Sequence, residues 1–99
     1  MADKYRTKPM IVTAMQFTGT EENHDELVAW VGKNVLVFDQ SRSPERWVSQ
    51  VHIPTLEGMM TGRVGWWIIR GLKGEHYPCE PDIFDLTYER VVSNFEEGV

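Results

Sequence analysis

The stretch GWWIIRGLKGEHYPCEPDIF, Gly65 to Phe84, holds two apolar runs of strand length, separated by Gly71 and Gly74 and followed by a proline and an acid. Side chains of a strand alternate between faces, so Trp66 and Ile68 share one side of WWIIR while Trp67 and Ile69 share the other. Such a strand is either covered on both faces or leaves one tryptophan exposed. The glycines turn the chain into a second strand through HYPC. Pro81 at a first helical position, with Asp82 beside the exposed amides, then starts a short helical turn over 81–87. Glu75, Tyr77, Pro78, Cys79, Pro81, Asp82, Phe84 and Tyr88 therefore read as a structural corner of turn residues and apolar anchors. Each fully buried anchor contributes about 1.5–3 kcal/mol.

Working outward, residues 8–18 (KPMIVTAMQFT) have strand density, with Ile11, Thr13, Met15 and Phe17 on one face and Val12, Ala14 and Gln16 on the other. A helix is expected over about 21–32. Thr20 or Asn23 can cap it, acids crowd its first turn, Gly32 stops it, and Leu27, Val28, Trp30 and Val31 recur at helical spacing. Residues 35–79 read as a meander of short strands broken by a polar loop around Pro44, by TLEG, and by Gly62 and Gly65. A final strand is expected over 88–92. The expected fold is a single α+β domain over 1–99. It has a small curved, mostly antiparallel sheet or partly open barrel, one packed helix and a short C-terminal helical turn.

With these elements in place, the run GWWIIRGLKGEHYPCEPDIFDLTYERV, the upstream TLEG and the opening KYRTKPMIVTAMQFTG resemble a family of small proteins from tailed bacteriophages and prophages. That family's pattern is approximately TLEG, then PGDWII, then GxxGExYPCxPDIFxxTYExV. Thr55, Leu56, Glu57 and Gly58 match its first part, and Gly65, Trp67, Ile68 and Ile69 its second. The third part is matched by Gly71, Gly74, Glu75, Tyr77, Pro78, Cys79, Pro81, Asp82, Ile83, Phe84, Thr87, Tyr88, Glu89 and Val91. The match is specific in the last third and weaker between Asn34 and Ser49. It departs where the family reads PGD and this chain has Val64, Gly65 and Trp66. The resemblance implies a phage context and brings no catalytic residues with it.

Composition excludes several functions. A 41% hydrophobic and 25% charged chain of 99 residues is expected to fold alone, and no run approaches the roughly 20 apolar residues of a membrane span. The start lacks the apolar core of a signal peptide and there is one cysteine, so a cytoplasmic location is expected. A net charge of −5 with scattered bases makes direct nucleic-acid binding an unfavoured reading, including for the alternating Lys4, Arg6 and Lys8, which suit a solvated strand edge.

No enzyme constellation is found. His76 and Cys79 are three apart, which puts them on opposite faces of a strand unless Pro78 breaks it, and no second CxxC or HxxxH completes a zinc site. Glu80, Asp82 and Asp85 beside Cys79 raise a thiol's pKa, which suits a small hydrophobe and not a nucleophile. Glu75 and Asp82 have turn and helix-start tasks, and GxxGE lacks the GKS ending of a phosphate loop. No cofactor and no metal are expected.

The reading is a non-catalytic binding module that docks on a host or phage protein through Trp66 and Trp47, aromatic types enriched at interfaces. The alternative is a binder of a small nucleotide signal, with Arg63 and Arg70 beside Trp66 as phosphate partners. One helix cannot cover both sheet faces, so a homo-oligomer, most simply a dimer, is expected at the WWIIR strand or the Trp47 strand. The competing cover is residues 92–99 folding back through Phe95.

Overall fold

The chain is an α+β fold, seen in a computed structural model that describes residues 1–32 and 36–92. Strand β1 (Thr13–Gln16) leads into helix α1 (Glu21–Val31). Strands β2 (Val37–Gln40), β3 (Val48–Thr55), β4 (Gly58–Arg63), β5 (Trp67–Arg70) and β6 (His76–Cys79) follow, and helix α2 (Pro81–Thr87) comes after them. Thr20 caps α1: its hydroxyl accepts from the Asn23 amide at 3.0 Å, and Glu21 and Glu22 sit at the positive end of the helix. Asn23 is buried and has a separate task. Its Nδ2 donates to the Gln16 carbonyl and its Oδ1 accepts from the Thr18 amide, both at 2.8 Å, which ties the end of β1 to the helix.

The strands form two antiparallel three-stranded sheets, ordered β1-β5-β6 and β2-β3-β4, in place of one curved sheet, and they do not close into a barrel. The division occurs after β4. There the Trp66 amide donates to the Arg63 carbonyl at 2.9 Å in a turn through Val64 and Gly65, which carries the chain out of one sheet and into the other. The core unites Phe17 and Ile68 of the first sheet's side with Val48, Val51 and Ile53 of the second and Leu27 of α1. The two sheets approach each other at Gly62. A Cβ there would lie 3.3 Å from both the Pro78 and Val51 side chains, so Gly62 is the residue that lets β4 approach β6.

Three boundaries differ from the sequence expectation. The first strand covers only Thr13–Gln16, because Thr13 already pairs with Arg70 and β5 turns away at Gly71; residues 8–12 outrun their partner. The expected final strand over 88–92 is absent. Tyr88 ends α2 with its amide bonded to the Phe84 carbonyl at 2.9 Å, and the segment finds no ladder partner among the described residues. The strand expected from Val35 begins at Val37, Val35 itself lying outside the described residues, as does Phe95.

Candidate functional site

The β6–α2 corner is built as a clasp. The Gly71 amide donates to the Glu75 carbonyl at 2.8 Å, and the Glu75 carboxylate accepts from the Lys73 amide at 2.9 Å, closing the β5–β6 turn. Pro78 stays within the strand, so alternation holds along β6. His76 and Pro78 are buried towards the core, while Tyr77 and Cys79 face the other way, opposite Ile69 and Trp67. On that outer face Phe84 stacks on Trp67, with ring centroids 4.3 Å apart and planes 7° from parallel, and Tyr88 follows at 5.2 Å from Phe84. Burial, then the neighbouring Tyr88 hydroxyl, push the Tyr77 phenol up to about 12. Burial and then the Glu80 carboxylate raise the Cys79 thiol, whose Sγ lies 3.6 Å from the Glu80 carbonyl oxygen. A thiol so placed is a poor nucleophile, and among the described residues no three acids, histidines or cysteines gather as metal ligands.

Arg70 is occupied at the opposite end of β5 from Trp66. Its Nη2 donates to the Trp30 carbonyl at the end of α1 at 2.8 Å, and its Nε donates to His76 Nε2 at 3.3 Å. Its guanidinium carbon lies 5.2 Å from the centre of the Trp30 ring. The Trp30 and His76 rings meet edge to face at 5.0 Å. Burial, and then the Arg70 charge, lower the His76 pKa, with Glu75 opposing them, so His76 is a neutral ring locked between helix and sheet. Its Nδ1 has no partner among the described residues. Trp30 and His76 were not picked out by sequence reasoning as a unit, because nothing in their spacing of 46 positions announces that they touch.

Trp47, Trp66 and Arg63, by contrast, lie on segments joined through the backbone of residues 17–19. The Trp47 and Val48 amides both donate to the Gly19 carbonyl, at 2.8 and 3.0 Å, and the Gly65 amide donates to the Phe17 carbonyl at 2.7 Å. Segments 17–19, 46–48 and 63–66 are therefore laced together. The junction tolerates only glycine at position 19, where φ is +87° and a Cβ would lie 2.8 Å from the Val48 carbonyl oxygen. Trp47 is 43% exposed and meets His24 edge-on at 4.7 Å, with His24 in turn against Phe38 at 4.4 Å. Arg46 and Arg63 are exposed, and no carboxylate pairs with either among the described residues.

A second surface lies on the outer face of the first sheet. It is an open groove of about 660 Å³ between Met10–Ala14 on one side and Trp67, Phe84, Tyr88 and Val91 on the other. Ile83 and Leu86 of α2 are exposed. No helix among the described residues is long and apolar enough to cross a membrane. No family model, no curated protein and no solved structure matches this chain.

Proposed function

We propose that the protein is a non-catalytic phage accessory module that docks on a host or phage protein through the surface formed by Trp47, Trp66, Arg46 and Arg63. The observation that carries this reading is the lacing of three chain segments at Gly19, which holds two tryptophans and two unpaired arginines at one end of a rigid core. Desolvated tryptophan and arginine are the types that dominate binding energy at protein interfaces, and unpaired guanidinium groups favour a partner segment bearing carboxylates. Arg70 is outside this surface, since it lies at the other end of β5 with its Nε and Nη2 engaged by His76 and Trp30. The same two side-chain types could hold a base and a phosphate, and the free arginines keep a nucleotide signal as the second reading.

Capture from expressing host cells with the wild-type protein and with the Trp47→Ser/Arg63→Ala double variant tests this. Protein and nucleotide mass spectrometry read both captures. A protein retained by the wild type and lost with the variant is the expected result. A nucleotide lost in the same way supports the second reading, and identical captures refute both.

A further inference from the structure

We infer that the free edge of β1 is the contact between two copies of this chain, which pair antiparallel about a two-fold axis and exchange their basic N-terminal segments. In the sheet order β1-β5-β6, β1 has a neighbour on one side only. The direction of its backbone groups is fixed by two observations. The Phe17 amide and carbonyl bond to Trp66 and Gly65 on the β5 side, at 2.8 and 2.7 Å, whereas the Gln16 carbonyl points the other way and is taken by Asn23. Backbone groups alternate along an antiparallel strand, so within β1 Ala14 presents its N–H and C=O outward, where no group of the described residues reaches them, and in the paired state the same alternation continues through Val12. Asn23 closes the edge at Gln16 and leaves it open from Ala14 back towards Met10. An unpaired edge of this kind is a template for another strand.

The occupant is identified as a second copy by charge. Residues 1–12 carry Lys4, Arg6 and Lys8 against Asp3, on a segment whose residues up to Ile11 are all exposed. The far wall of the neighbouring groove carries Asp85 and Glu89 against Arg90, and Glu80 and Asp82 lie upstream on the same segment, outside the groove lining. The basic segment and the acidic wall sit on the same chain, so a two-fold arrangement satisfies both twice. The register follows from the outward residues. With Val12 opposite Val12, Met10 lies opposite the partner's Ala14 and Lys8 opposite the partner's Gln16. Gln16 pairs with Trp67, the residue beneath Phe84 of α2, so Arg6 and Lys8 arrive at the level of the acidic wall. Exposed Met10 and Ile11 then gain apolar cover along the groove. The central strand β5 is excluded as the contact edge, since β1 and β6 occupy both its sides.

Sedimentation equilibrium at tens of micromolar tests the inference, with a dimer expected that dissociates as salt rises. Val12→Pro removes only an outward N–H, which an edge position tolerates, and is expected to weaken association by about tenfold or more with unchanged circular dichroism. A second measurement needs no proline. In a Cys79→Ser background, Ile11→Cys/Thr13→Cys places the two cysteines opposite one another across the axis and is expected to give a covalent dimer on mild oxidation. A monomeric wild type overturns the inference. So does a dimer that survives Val12→Pro while the paired cysteines fail to cross-link.

Discussion

The two ends of β5 carry similar residues and use them in opposite ways. At the Arg70 end, an arginine lies against a tryptophan, but its Nε and Nη2 donate inside the molecule, and the ring it overlies belongs to α1. At the Trp66 end, Arg63 and Trp47 are exposed and Trp66 is half-buried, and the internal bonds there are made by the backbone of segments 17–19, 46–48 and 63–66. An arginine beside an aromatic is therefore not a binding signal in itself. The carbonyl at the end of a neighbouring helix decides which role it takes, by holding the guanidinium against the fold.

The largest expected difference is between the middle of β5 and its ends. Ile68 is fully buried between the two sheets, against Gly62 and the core side chains. Ile68→Ala should lower the unfolding free energy by about 2–5 kcal/mol, read from denaturant melts, because the packed surroundings cannot collapse onto the cavity. A loss of under about 1 kcal/mol would mean that the sheets are not held together there.

Next in size is Arg70. Arg70→Ala strips the donor from the Trp30 carbonyl and from His76, and should cost about 1–3 kcal/mol, while Arg70→Lys should recover little because a single ammonium cannot reproduce the fork. Equal stability of Arg70→Ala and wild type would move Arg70 into the same class as Arg63.

His76 adds a pH dependence to this end. Its folded pKa lies below the ordinary 6.5, through burial first and Arg70 second, so the unfolded chain binds the proton more readily. The stability this contributes is complete above the unfolded value and is lost as pH falls from about 6.5 towards the folded pKa. His76→Gln should flatten that part of the stability profile. A wild-type profile that is already flat between pH 7 and 5 would refute the assignment.

Much of this architecture was legible in the sequence. The alternation of WWIIR placed Ile68 and Trp67 on different faces, Gly32 and Thr20 bounded α1, and Pro81 with Asp82 started α2. The spacing of His76 and Cys79 put them on opposite faces of β6, and Pro78 does not interrupt it. What was not legible depends on pairing between distant segments. Whether β4 continues beside β5 is decided by the turn through Val64 and Gly65, and periodicity is blind to that. Tyr88–Val92 has strand composition but joins no ladder among the described residues. Arg70 reads in the sequence as a phosphate partner beside Trp66 because its acceptors are 40 and 6 positions away, and Asn23 reads as an alternative cap because its carbonyl and amide partners lie upstream of the helix. Of the candidate residues, Trp47, Trp66 and Arg63 lie on segments whose backbones are bonded to residues 17–19, and Arg70 lies at the other end of β5.

The smallest expected effect on stability is at Arg63, and for that reason it is the sharpest probe of the exposed end. The side chain is exposed and makes no ion pair among the described residues, so Arg63→Ala should change the unfolding free energy by no more than about 0.5 kcal/mol. If the Trp66 end is the docking surface, the same substitution should nonetheless weaken capture of the partner, because a guanidinium bonded to a carboxylate in a desolvated contact contributes far more than one in water. Parallel measurement of melting and of partner capture separates the two ends cleanly. Arg70→Ala should lose stability ahead of binding, and Arg63→Ala should lose binding with stability intact. Loss of both properties together at Arg63 would show that its guanidinium is tied into the fold as Arg70 is, and the contrast between the ends of β5 would then fail.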